Sequence, residues 1–207
     1  MTAYEKLSNK PENLNMLLVG VGGQGTILAS NILADLGIKL GYDVKKAEVH
    51  GMSQRGGSVI SHVRWGAEVF SPIIAKGEGD VILAFEKMEV VRYIEILKPE
   101  GLVIANDHVI PPITVSAGAS SYPEDDIIRA SVSNATKKVH WIDGFGIAEE
   151  LGNVRTANVV LLGALSSLLD MQSEPWLEVL TARVPSKFID INREAFAAGR
   201  KTMALTV

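Results

Sequence analysis

The chain has no cysteine. That excludes disulfides, thiolate-ligated iron–sulfur clusters and cysteine-based zinc sites on this polypeptide. Histidine is scarce as well. His50, His62, His108 and His140 are the only four, and none pairs at a metal-ligand spacing such as H-x-x-x-H, so no metal site is expected. His62 and His140 fall inside expected strands and read as structural; His50 and His108 fall at strand ends, where sites on open α/β sheets lie. No run of Lys or Arg exceeds two residues and the net charge is −4, which leaves nucleic acid without the basic surface its phosphates need. Long apolar runs are missing too. The greasiest stretch, Val159 to Leu169, is broken by Ser166 and Ser167 and falls well short of the ~20 residues that span a bilayer. The opening MTAYEKLSNKPENLN lacks the apolar centre of a signal peptide, so a cytoplasmic chain with no membrane contact is expected. The G-x-S-x-G elbow, the Walker lysine and H-E-x-x-H are all absent.

What is present is an ordinary globular composition of 207 residues, enough to bury roughly 70% of the extended surface without staples. Residues 1–14 read as a loose lead-in ending after Pro11, and 15–207 as one domain. Met16 to Val19 suits a strand buried on both faces. After a cluster of glycines, TILASNILADLGIKLG places Ala29, Leu33, Leu36 and Leu40 on one helical face and stops at Gly41. DVKKAEV follows as a second strand, completing a βαβ unit. SVISHVRW then reads as a strand that pairs, through Gly66, with EVFSPII as a hairpin. DVILAFE and GLVIAN are further strands on either side of the helix EKMEVVRYIEILK, and a short strand is expected around ITVSA. PEDDIIRASVSNA opens with proline and acids, an N-terminal helix signature, and KKVHWIDG is the last strand. The remainder is helical, with TANVVLLGALSSLLD apolar nearly all round, which requires burial in the domain or in an interface and suggests self-association. The class is therefore α/β and Rossmann-like: a predominantly parallel sheet flanked by helices, with an appended antiparallel hairpin.

Gly20, Gly22 and Gly25 match the G-x-G-x-x-G spacing of a dinucleotide loop. Gly20 permits the turn, Gly22 lets a ligand approach the backbone, and Gly25 lets helix and strand pack closely. A tight βα turn with no ligand explains the same glycines. A nicotinamide site also asks for an acid at the end of the second strand, and Glu48, 23 positions after Gly25, stands there. The polar HGMSQRGG that follows is atypical at that point. Its Arg55 suits a phosphate or carboxylate bidentately, or else bonds loop carbonyls or another chain.

Read in order, GVGGQGTILASNILA, HGMSQRGGSVISHVRWG, SPII, DVILAFE, ANVVLLGAL and INREAFAAG resemble the gamma-type subunit of 2-oxoacid:ferredoxin oxidoreductases. The closest likeness is to the small (beta) subunit of the indolepyruvate:ferredoxin oxidoreductases, of the same domain family, and it runs from Leu14 to Gly199. The resemblance implies a complex that converts a 2-oxoacid and coenzyme A to an acyl-CoA and carbon dioxide, with electrons passed to ferredoxin. An aryl pyruvate such as indolepyruvate is the first expectation for the substrate, a branched-chain or simple 2-oxoacid the second. It further implies that thiamine diphosphate and iron–sulfur clusters reside on partner subunits, that ferredoxin is reached only through them, and that coenzyme A is a co-substrate. The sequence agrees, having no cysteine and no GDG paired with a downstream asparagine. By the same resemblance Gly20, Gly22, Gly23, Gln24 and Gly25, with Arg55, Gly56 and Gly57, are the motif residues. They are expected to lie together on loops that face the partner and shape the substrate or coenzyme A pocket, with Gln24 and Arg55 making polar contacts. No catalytic residue is assigned. Two other readings stay open: a stand-alone NAD(P)-dependent oxidoreductase, and a structural scaffold subunit.

Overall fold

A strand that is apolar on both faces must be covered on both, and Leu14–Val21 (β1) meets that condition, with every residue except Asn15 buried. The computed structural model describes residues 12–50 and 57–204. Within it β1 lies inside a six-stranded sheet of order β2-β3-β1-β4-β5-β6, where β2 is Asp43–His50, β3 Ser58–Gly66, β4 Gly79–Ala84, β5 Leu97–Asn106 and β6 Val139–Ile142. β1, β4, β5 and β6 pair in parallel, whereas β3 is antiparallel to both of its neighbours, β1 and β2. Alternation along β1 feeds two cores. Met16 and Leu18 join the cluster under helices α1 (Thr26–Lys39), α5 (Gly144–Glu150), α6 (Ala157–Leu168), α7 (Ser173–Arg183) and α8 (Ile189–Ala204). Leu17 and Val19 join the smaller cluster under α2 (Lys87–Tyr93) and α4 (Asp125–Ala135).

The Rossmann-like, mostly parallel sheet with an antiparallel addition is present, but the hairpin has a different partner from the one its sequence suggests. β3 pairs with β2, not with EVFSPII, which forms no strand. The reason is that β3 has no open edge, since β1 and β2 occupy both sides. The 68–74 backbone is satisfied by side chains instead: Val69 N–H donates to Asp43 (2.8 Å), Arg64 donates to the carbonyls of Ser71 (3.2 Å) and Ile73 (3.0 Å), and Ile74 N–H donates to His62 Nδ1 (3.2 Å). The expected strand around ITVSA is likewise a single helical turn, α3 (Ile113–Ser116). Pro112 opens that turn, where a missing N–H costs nothing, and β6 already occupies the edge beside β5.

Helix α6 is buried from Asn158 through Ser166, as its uniform apolarity requires. Its cover is internal. α8 lies directly against it, backbone to backbone, so this helix does not need a second chain to bury it. The close approach rests on two glycines: a Cβ at Gly199 would lie 1.8 Å from the Val160 carbonyl oxygen, and one at Gly163 would lie 2.1 Å from that of Phe196. Among the described residues no helix is long and apolar enough to cross a membrane. Gly199→Ala must push α8 off α6. It is expected to lower unfolding stability by about 1–3 kcal/mol, read as an earlier urea midpoint at unchanged slope; an unmoved midpoint would contradict this packing.

Candidate functional site

Where β1 ends, four residues, Gly22 to Gly25, turn the chain into α1, and the glycines of the motif, including Gly20 within β1, are used in different ways. A Cβ at Gly20 would fall 2.9 Å from Thr26 Oγ1 and 3.1 Å from Phe85 Cβ, so the turn has no room for a side chain. Gly25 is left-handed at φ 79°, and its Cβ would lie 2.3 Å from Asn158 Nδ2. Gly23 is also left-handed, at φ 101°, but has open space around it. Gln24 holds the loop closed. Its Oε1 accepts from Val21 N–H at 2.7 Å, and its Nε2 donates to the Phe85 carbonyl at 2.7 Å. Gln24 thus ties the end of β1 to the residue that follows β4, a role its position in the motif does not reveal, and it also lines a cavity beside the loop.

Gly22 N–H donates to the Gly57 carbonyl at 3.0 Å, which joins the first motif loop to the last residue of the second motif. Arg55 and Gly56 lie outside the described residues. Glu48, the candidate ribose acid, lies on β2, and β3 separates β2 from β1. Its carboxylate pairs with Lys46 at 2.5 Å. His62 is buried and accepts a backbone hydrogen bond, a structural role, and burial followed by the charge of Arg64 lowers its pKa.

Beside the glycine loop, at the carboxyl edge of β4 and β5, a cavity of about 180 Å³ opens between Gly23, Phe85, His108, Phe145, Arg155 and Asn158. His108 stacks on Phe145 with ring centres 4.3 Å apart and planes 5° from parallel. Asn106 fixes the floor, donating to the Phe85 carbonyl at 3.2 Å and accepting from Gly144 N–H at 3.0 Å. Asn158 donates Nδ2 to the Gly25 carbonyl at 3.2 Å, and its Oδ1 is buried without a hydrogen bond. Thr26 Oγ1, in the first turn of α1, is also buried and unpaired. Such orphans are costly, about 1–3 kcal/mol each, and mark places where a partner is missing. The sequence gives one sign of Asn158, a polar residue at the start of the otherwise apolar ANVVLLGAL. It gives none of the His108–Phe145 stack, which only the fold brings together.

A second group lies on the other side of the loop. Glu86, 1% exposed, caps α2 by accepting from Met88 N–H (2.7 Å) and Glu89 N–H (3.1 Å), and it also accepts from Ile110 N–H (3.2 Å) and Tyr122 OH (2.6 Å). Glu89, 5% exposed, accepts from Ser58 Oγ at 2.5 Å and pairs with Arg92 at 3.0 Å. Burial lifts the Glu89 carboxyl above its ordinary range, with Ser58 and Arg92 pulling it down and Glu86 pushing it up. Among the described residues no group of His, Asp and Glu is arranged to hold a metal. The raised pKa means that native stability is greatest with Glu89 protonated and falls as pH rises through the shifted value. Glu89→Gln keeps an acceptor for Ser58 and removes this titration. The variant is expected to melt above the parent at pH 8, with the gain shrinking toward the ordinary glutamate range near pH 4.3; a pH-independent difference would contradict it.

Residues 15–202 match the pyruvate ferredoxin/flavodoxin oxidoreductase family. Indolepyruvate oxidoreductase subunit IorB of Pyrococcus horikoshii is 44% identical over 190 residues, covering 90% of this chain and 94% of that one. Two solved structures share the fold at lower identity. The gamma subunit of a keto/oxoacid ferredoxin oxidoreductase from Geobacter sulfurreducens PCA superposes with a TM-score of 0.68 at 24% identity, covering 93% of this chain and 99% of that one. A 2-oxoglutarate:ferredoxin oxidoreductase from Magnetococcus marinus, with 2-oxoglutarate, coenzyme A and succinyl-CoA bound, gives a TM-score of 0.71 at 21% identity, over 95% of this chain and 32% of that one. The match over residues 15–202 and the 44% identity to a subunit of similar length agree: the chain belongs to the pyruvate ferredoxin/flavodoxin oxidoreductase family, and its fold is shared by a solved gamma subunit.

Proposed function

We propose that this chain completes a 2-oxoacid:ferredoxin oxidoreductase whose thiamine diphosphate and iron–sulfur clusters belong to a partner subunit, and that its carboxyl edge forms part of the coenzyme A pocket. The overall reaction releases carbon dioxide from a 2-oxoacid and joins the acyl group to the thiol of coenzyme A. One proton and two electrons leave, the electrons to ferredoxin through the partner. Thiamine diphosphate supplies the carbanion-stabilising chemistry there. An aryl pyruvate is the proposed substrate, on the strength of the indolepyruvate oxidoreductase relatives. Assembly takes place in the cytoplasm.

The observation that carries this reading is the unspent polar capacity at the edge. Gly25 caps α1 without a side chain, so the N–H groups of the first turn are not met by one. The helix N-terminus favours anions, and Gly23 leaves the space above it open. Arg155 lines the adjacent cavity, and Arg55 belongs to the segment that ends at Gly57. A ligand with phosphates and a long polar arm fits this set: the arginines and the helix N-terminus bind phosphate, and the Oδ1 of Asn158 accepts from an amide N–H. The chain's contribution is to bind, orient and exclude water; the reactive centre is brought by the partner. A nicotinamide is disfavoured because β3 displaces the acid-bearing strand from its place beside the loop.

In the enzyme assembled with its cysteine-rich partner, Arg155→Ala is expected to raise KM for coenzyme A roughly tenfold or more, the loss of one charge-assisted contact, while KM for the 2-oxoacid stays near the parent value. Arg55→Ala is expected to reduce turnover or assembly without unfolding the chain. Unchanged coenzyme A kinetics in both variants would contradict the reading and favour a scaffold role.

A further inference from the structure

The junction between β4 and α2 fastens parts of the carboxyl edge that are far apart in sequence. The Phe85 carbonyl holds Gln24 and Asn106, Glu86 holds Ile110 and Tyr122, and Glu89 holds Ser58. The last contact is the least explained by folding alone. Glu86 already caps α2, meeting the N–H groups of Met88 and Glu89, so the helix start does not need a second acid. A carboxylate at 5% exposure costs free energy that an apolar residue would not. What Glu89 reaches is the first residue of β3. Ser58 Oγ donates to it at 2.5 Å, and Tyr93 OH lies 3.0 Å from the same oxygen. Ser58 pairs with Val21 at the last register of β1, and the residue before it, Gly57, takes the Gly22 N–H. A continuous path of contacts thus leads from Glu89 through Ser58 and Gly57 to the middle of the glycine loop.

We propose that Glu89 is a positioning residue: by holding Ser58 it fixes the start of β3 against the glycine loop, and so sets the geometry in which the assembled oxidoreductase receives coenzyme A. The second half rests on the function proposed above; the first does not. The effect of Glu89 passes through Ser58. Tyr93 holds the same oxygen, and Arg92 balances the buried charge.

Two readouts test this. In the full chain, amide hydrogen exchange at Gly22 reports directly on the Gly22–Gly57 bond. Glu89→Leu, which removes the acceptor, and Ser58→Ala, which removes the donor, are each expected to speed that exchange roughly tenfold, as loss of one such contact implies. Glu89→Gln keeps the acceptor and is expected to stay within about threefold of the parent, and the Leu/Ala double variant to add nothing to either single change. In the assembled enzyme the two disrupting variants are expected to raise KM for coenzyme A by a similar roughly tenfold factor with a smaller change in kcat, and Glu89→Gln to restore it. Unchanged Gly22 exchange in a folded variant, or exchange raised equally along the whole chain, overturns the positioning role. Where Glu89→Leu fails to fold, Ser58→Ala decides alone. If the parent complex shows no coenzyme A-dependent turnover, the proposed function falls, while the Gly22 result still settles whether Glu89 positions the loop.

Discussion

The placement of β3 governs the rest of the molecule. A chain that ran β1, helix, β2 and laid β2 directly beside β1 would bring Glu48 to the glycine loop as a nucleotide site requires. Here β3 enters between them, antiparallel to both, and moves β2 two strand spacings away, roughly 10 Å. The same insertion brings Gly57 against Gly22. One change of strand order thus moves the acid that would read a ribose away from the loop and puts Gly57 beside it. The loop keeps its anion-friendly geometry and loses its nicotinamide partner.

The interior divides into what stabilises and what functions. Two apolar cores on the faces of the sheet supply the hydrophobic stability, and the larger is closed by α8 lying on α6 at glycine distances. Polar groups are concentrated at the carboxyl edge, where Gln24, Glu86, Glu89 and Asn106 are each held by two or more hydrogen bonds or ion pairs. Against that well-satisfied frame, the bare oxygen of Asn158 and the unpaired hydroxyl of Thr26 stand out. A well-bonded frame with an unpaired oxygen on a residue that lines the cavity suits a surface that a ligand or a partner finishes.

Much of this was legible in the residues. Period-two and period-3.6 patterns locate most strands and helices, and the uniform apolarity of α6 predicts its burial. The glycine motif locates the turn between β1 and α1. What local pattern does not carry is pairing. EVFSPII alternates well enough to be a strand, yet β3 had no free edge to offer it. Gln24 sits in the motif as a polar contact, but only the distance to the Phe85 carbonyl shows that its amide is used internally. Asn158 and Glu89 become notable through burial, a property of the assembled fold, and the His108–Phe145 stack joins residues that no short window holds together.

The central claim is that this polypeptide holds no reactive centre of its own and becomes catalytic only against a chain that does. The most direct measurement is 2-oxoacid- and coenzyme A-dependent electron transfer to ferredoxin, assayed with the purified chain alone, with the proposed thiamine diphosphate- and iron–sulfur-bearing partner alone and with the two combined. The account predicts turnover only in the combination. Oxidation of a 2-oxoacid by the purified chain alone would contradict it.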